Sequence, residues 1–256
     1  MSLCYNKLVH LAEQVTTSVL FNITRYFILS GGAFLLIWFF RDRFKRYRIQ
    51  PRDAKREQIL HDIRWSLSTA TIQGSLSALV LLKGNSSVYY DVSKYGWPYV
   101  FISAVLMMLI LDTYSYFSHR LLHWKPILKH IHIIHHRSKV PTAFSTIAFH
   151  PVESLVQWLV FPLIVYTVPC HITMMIVVFG FTFLVNNMGH LGYEFYPKGL
   201  VTHPIFRWSN SSTFHNMHHT HVSCNYGLYF NFWDTLFGTT HPDYPKLYER
   251  VKNQTP

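Results

Sequence analysis

Charge is scarce in this sequence. Asp, Glu, Lys and Arg make up 14% of the 256 residues, where an ordinary soluble domain carries about 25%. Acids are scarcer still, 12 against 23 Lys and Arg, which gives a formal net charge of +11 with neutral histidines. A basic balance of this kind suits nucleic acid or anionic lipid. The basic residues border long apolar runs and form no separate basic domain, which excludes nucleic acid as partner and selects the membrane. Cysteine is also nearly absent. Cys4, Cys170 and Cys224 stand alone with no CxxC, so neither a disulfide framework nor a cysteine zinc site is expected, only buried or idle thiols. A cleavable leader is not expected either, because the first apolar stretch is too long and no small-residue cleavage site follows it.

What is abundant is apolar: 50% of residues are hydrophobic and 17% aromatic. A first span is expected near Ser18 to Phe40, with Arg25 able to snorkel from its start. A weaker second lies near Ser66 to Leu82, and a third runs from Pro98 to about Phe117. A fourth unit, Pro151 to Met188, is broken by Pro162 and Pro169 into a hairpin of two short limbs. Met1 to Thr17 is weakly amphipathic and reads as an interfacial segment. This gives residues 1–98 as an N-terminal membrane region with two spans and a basic loop, 99–240 as a catalytic region, and 241–256 as a polar surface tail. The loop after the first span holds Arg41, Arg43, Lys45, Arg46, Arg48, Arg52, Lys55 and Arg56, and the positive-inside rule makes that side cytoplasmic. Counting crossings from it puts His119, His190 and the segments between and after them on the same cytoplasmic face.

Histidine carries the chemistry. Eight of the seventeen fall in three clusters: His119 with His123, His132 with His135 and His136, and His215 with His218 and His219. Residues three and four apart on a helix share a face, so each cluster aims its rings one way. Imidazole binds zinc, iron, copper and nickel. Eight ligands exceed what one zinc takes, and zinc has no redox chemistry; the pattern reads as two redox metal ions. His190, at the end of the returning limb, is expected to join them. His130 and His221 are each offset by two from a cluster and point elsewhere, His203 and His150 stay open, and His10, His61, His171 and His241 read as structural or exposed. Asp112, two turns before His119, is a candidate acceptor for a ligand's outer ring nitrogen, as are Glu153 and Asp234, while Asn187 could orient a ligand or a water. Helix capping and structural pairing are the competing roles for these four.

Three clusters in this order, with His150-Pro-Val-Glu153, Asn225-Tyr-Gly227 and Trp233-Asp234 around them, resemble the fatty acid hydroxylase / sterol desaturase superfamily over about Tyr99 to Thr239. The resemblance implies an all-α integral-membrane bundle with a cytoplasmic histidine-rich dimetal cap. It also implies two iron ions as cofactor, O2 as cosubstrate, and hydroxylation or desaturation of a sterol, fatty acyl, sphingoid or related lipid. With no haem-binding domain fused here, the electrons are expected from a separate donor protein. The chain ends without a di-lysine retrieval signal, which tips the expected location from the endoplasmic reticulum toward a bacterial inner membrane. A histidine-rich metal-binding or transport protein is the rival reading; it would need ionisable residues through several spans, and only Asp112 comes near. A haem carrier would place its histidine pairs inside the bilayer.

Overall fold

The structure, a computed structural model, describes residues 2–84 and 87–254, and side chains from Tyr5 onward; the Cys4 thiol lies outside them. Helix α1 (Ser2–Tyr26) runs through a π-helical turn, Phe27–Gly31, into α2 (Gly32–Phe39). A short α3 (Arg41–Phe44) follows, then α4 (Arg56–Leu82) and α5 (Gly96–Leu122). Next come two brief helices, α6 (Lys125–Ile127) and α7 (Ile133–His136), with a π-turn, Leu128–His132, between them. Helices α8 (Pro151–Trp158), α9 (Val160–Thr167) and α10 (Ile172–His190) form the hairpin unit. The cap adds α11 (Ser212–His221), α12 (Phe232–Leu236) and α13 (Tyr244–Lys252).

Among the described residues, four helical stretches are long and apolar enough to cross a membrane: Tyr5–Phe39, Arg56–Leu82, Gly96–Leu122 and Ile172–His190. Their outer faces expose Leu20, Phe101, Ile102, Val105 and Val177, as lipid-facing surfaces require. The first stretch absorbs most of the segment expected to lie in the interface. At 35 residues it reaches about 50 Å, well beyond a hydrocarbon core of about 30 Å. It holds to α4 by close backbone approach: Ser18 Oγ donates to Gly74 O at 2.8 Å, and a Cβ on Gly74 would stand 2.9 Å from Val19 Cα.

The hairpin breaks at Leu159, between α8 and α9, one turn before Pro162. A proline ring clashes with the carbonyl four residues back, here that of Trp158, so the helix must end there. At the far end of the bundle a two-residue parallel pairing, Val88 with Cys170 and Tyr89 with His171, ties the α4–α5 loop to the hairpin turn. The opposite ends converge. Ile49 N donates to Gly192 O at 2.9 Å, Glu194 N to Tyr47 O at 2.7 Å, and Ser138 Oγ to Asp62 at 2.6 Å. The end of α2, the start of α4 and the ends of α5 and α10 therefore meet on one side, as the crossing count predicted.

Two apolar cores follow from this layout. One, among the spans, packs Met107, Leu111, Val160, Ile164, Met175 and Val178. The other, in the cap, packs Leu200, Phe214 and Met217 against Tyr244 and Tyr248. The second corrects the surface-tail expectation: Tyr244, Tyr248 and Val251 recur at helical spacing and are buried, a stripe hidden in the sequence by the charged residues between them.

Candidate metal centre

All nine predicted histidines come together, and they divide into two groups. His119, His123, His132, His136 and His218 form one; His135, His190, His215 and His219 form the other. Within each group the available ring nitrogens lie within 4.8 Å of one another, slightly wider than the roughly 4.2 Å that donors about 2.1 Å from a shared cation can span, so a small inward closure of the rings brings them to bonding distance. The division follows helical phase. In the second cluster, His132 and His136 are one turn apart and face the first group, while His135 turns to the other. In α11 the proportions reverse: His215 and His219 face the second group and His218 the first. Each HxxHH thus serves both groups, holding them side by side.

Four of the nine rings have their outer nitrogen tied by a fixed acceptor, whereas Nδ1 of His123, His135, His136 and His219 is buried without a partner. His132 Nδ1 lies 2.7 Å from Glu153 Oε1, His119 Nδ1 3.0 Å from Tyr226 O, His218 Nδ1 2.7 Å from Cys224 O, and His190 Nδ1 2.8 Å from Ser145 Oγ. These bonds set ring orientation and turn Nε2 inward. There, Nε2 of His132 and of His218 is buried with no hydrogen-bond partner. Nε2 atoms also face each other at 2.9 Å for His190 with His215, and 3.2 Å for His123 with His136 and His215 with His219. Lone pairs of neutral imidazoles this close repel unless a proton or a cation stands between them. Burial, reinforced by neighbouring rings, pushes His123, His132, His135, His218 and His219 well below the usual imidazole range, and takes His136 and His215 to about 3. The rings are neutral at physiological pH, which is the ligating form. Orphaned, neutral, convergent nitrogen donors fit a pair of metal ions.

Of the four polar candidates, Glu153 touches a histidine directly. Asp112 does not: its Oδ1 accepts Tyr229 N at 2.8 Å and Phe230 N at 3.1 Å. Asp234 accepts Tyr226 N at 2.9 Å, Gly227 N at 2.7 Å and Thr239 Oγ1 at 2.7 Å. Both carboxylates act on the backbone of the loop whose carbonyls hold His119 and His218. Asn187 donates to Ser30 Oγ at 2.9 Å and joins two helices instead of reaching a ring. His130 and His203 are exposed; His203 caps Ile205 and Phe206, and His150 caps α8 through Val152 N.

Glu194 went unrecognised in the sequence. Fully buried, it accepts Thr213 N at 2.7 Å and Tyr196 N at 3.0 Å, fixing the start of α11 and hence its three rings. Ser145 and the carbonyls of Cys224 and Tyr226 were missed too. The signal available was Asn225-Tyr-Gly227: Asn225 has φ of 59°, a left-handed conformation Asn tolerates better than most residues, and its side chain bonds Phe214 O and His241 N.

A cavity of about 450 Å³ reaches His119, His132, His135, His190 and His215 from among the spans. Its walls come from α5 (Leu111, Ser115) and the hairpin (Phe161, Met175, Phe179), and also from α1 and α4 (Phe21, Leu81).

The profile of the family described as "Fatty acid hydroxylase" matches residues 104–239. A Delta(7)-sterol 5(6)-desaturase of Gibberella zeae is 33% identical over 224 residues, covering 86% of this chain and 67% of that protein. The lathosterol oxidase of Rattus norvegicus is 31% identical over 239 residues, covering 90% and 76%. A Delta(7)-sterol 5(6)-desaturase of Aspergillus fumigatus is 30% identical over 226 residues, covering 79% and 69%. No solved structure matches the chain. Ordered histidine clusters, their convergence in two groups and these similarities together make the chain a member of the fatty acid hydroxylase / sterol desaturase superfamily.

Proposed function

We propose that this chain is a membrane-bound, dioxygen-dependent diiron oxidoreductase that desaturates or hydroxylates a lipid, with a sterol as the leading substrate class. The observation that carries the reading is a double histidine cage opening onto a lipid-sized apolar cavity. The sterol preference draws on the relatives' names. His119, His123, His132, His136 and His218 would hold one iron, and His135, His190, His215 and His219 the other. Bound there, the two ions supply redox equivalents for oxidising an unactivated C–H bond with O2.

The protein's own residues do the rest. Neutral imidazoles leave the ions' charge largely uncompensated, apart from the Glu153 carboxylate behind His132. Glu153, Ser145 and the Cys224 and Tyr226 carbonyls hold the rings in register, so little reorganisation is needed at turnover. The apolar cavity walls desolvate the lipid and keep bulk water from the reacting carbon. Whether one hydrogen is replaced by hydroxyl or two are removed depends on which carbons the cavity brings under the cage. We place the cage on the cytoplasmic face, on the strength of the basic loop after the first span, where a separate donor protein would deliver electrons.

Lipid mass spectrometry of membranes from cells with and without the chain tests this. The expected result is a lipid that has gained one oxygen or lost two hydrogens only when the chain is present, and not with His219→Ala. A metal-transport role instead predicts metal flux without any lipid change. The closed cage, and Asp112 bonded to backbone instead of facing a polar path, speak against that role.

A further inference from the structure

The cavity beneath the cage is apolar along most of its wall, but it contains a cation. Arg25, on α1 inside the first candidate span, lines it together with Asn22 and Gln73. The guanidinium does not snorkel to the interface. It lies over the Phe183 ring, 5.1 Å from the centroid, and one terminal nitrogen donates to Asn22 Oδ1 at 2.9 Å. Its Nε is buried without a partner, and among the described residues no carboxylate forms an ion pair with it. An ionised group in apolar surroundings costs several kcal/mol unless it is paired. Arg25 carries five N–H donors in a fixed fork, and few are used.

Position narrows what could use the rest. Phe183 and His190 are seven residues apart on α10, two turns along one face and about 10 Å in height. The guanidinium therefore stands roughly one such step below the cage, within the space the lipid would fill. One residue after Arg25 the chain passes into the π-turn Phe27–Gly31, an irregularity frequent at functional sites. Gln73 donates through Nε2 to Ser154 O at 3.2 Å, which leaves its carbonyl as an acceptor for a hydroxyl proton.

We propose that Arg25, with Asn22 and Gln73, forms the subsite for the oxygen-bearing head of the lipid, a hydroxyl or a carboxylate, and that the carbon oxidised lies on the cage side of that head, roughly 10 Å from it. The lipid's role as substrate rests on the oxidation reading above; the subsite itself does not.

Binding to the purified full chain in detergent separates the two. The probes are a 3-hydroxysterol against the sterane lacking that hydroxyl, and a long-chain fatty acid against the alkane of equal length. Native mass spectrometry reads occupancy for the wild type, Arg25→Met and Arg25→Lys. The wild type should prefer an oxygenated probe by about ten-fold or more, the range of a charge-assisted hydrogen bond. Arg25→Met should lose the preference with melting temperature and metal content unchanged, and Arg25→Lys, without the fork, should weaken it several-fold. Preference within the sterol pair identifies a hydroxyl head, and within the acid pair a carboxylate. Equal binding of oxygenated lipid and hydrocarbon by the wild type overturns the subsite. So does an undiminished preference in Arg25→Met or, if that variant fails to fold, in Arg25→Lys. An Arg25-dependent preference without any lipid product in the cellular assay would instead overturn the oxidation reading and leave the subsite standing.

Discussion

Glu153 Oε1 lies 2.7 Å from His132 Nδ1, and both side chains are shut off from solvent. The carboxylate fixes which nitrogen of the ring faces inward and makes that nitrogen a stronger donor. Losing such a partner typically costs 10–100-fold in metal affinity. Glu153→Gln can still accept the bond but without charge, so a loss of about ten-fold is expected; Glu153→Leu should lose more. Metal retained after dialysis against graded chelator measures both.

The five-and-four division predicts which ion each substitution releases. His123→Ala should weaken the first group and His215→Ala the second, each lowering bound metal from two ions toward one. His136→Ala and His219→Ala should also abolish turnover, whereas His10→Ala, exposed on α1, should change neither. Metal analysis alongside lipid product formation checks the set. Equal metal loss from His10→Ala and His215→Ala would contradict the assignment.

Eight of the nine rings are legible in the sequence because three- and four-residue spacing survives folding, and His190 by its place at the end of the returning limb. Their partition is not, since it depends on how α7 and α11 rotate against each other. Asp112 and Asp234 stand out as acids among apolar residues, but the sequence leaves their role open: both hold backbone amides, and the acceptors behind His119 and His218 are backbone carbonyls that no residue type announces. Arg25 was read from its place at a span's start, and only tertiary packing turns it inward. The spans were legible by composition; α13 was not, because its apolar stripe is three residues among charges.

Gly227 sits where nothing larger fits. A Cβ there would overlap Phe230 O and approach Asn210 Nδ2 to 2.8 Å and Asp234 Oδ2 to 2.9 Å. Gly227→Ala must displace the loop that carries the Tyr226 carbonyl to His119. A destabilisation of about 1–3 kcal/mol is expected from overpacking, with loss of metal from the first group. Melting in detergent and metal content report the two effects.

Acid should act through the cage. His136 and His215 are held near 3 when folded, against about 6.5 unfolded, so between these values the unfolded chain binds more protons. These two rings therefore contribute stability that is fully present above about pH 7 and is lost as pH drops from 6.5 toward 3, while the carboxyls of Glu194 and Asp234, raised by burial, act in the opposite sense. The fall in melting temperature on acidification should thus be smaller in metal-free His215→Ala than in the metal-free wild type. An equal or larger fall in His215→Ala would mean that this ring is not held neutral in the fold.

In the proposed arrangement nine imidazoles hold two redox metal ions. Metal analysis with X-ray absorption on the full chain, purified from iron-replete cells, tests this directly. Two irons per chain in a nitrogen-dominated environment are expected, with no Soret band and a fall toward one iron in His215→Ala. A single ion, a haem spectrum, or metal content indifferent to His215→Ala and His123→Ala alike would contradict it.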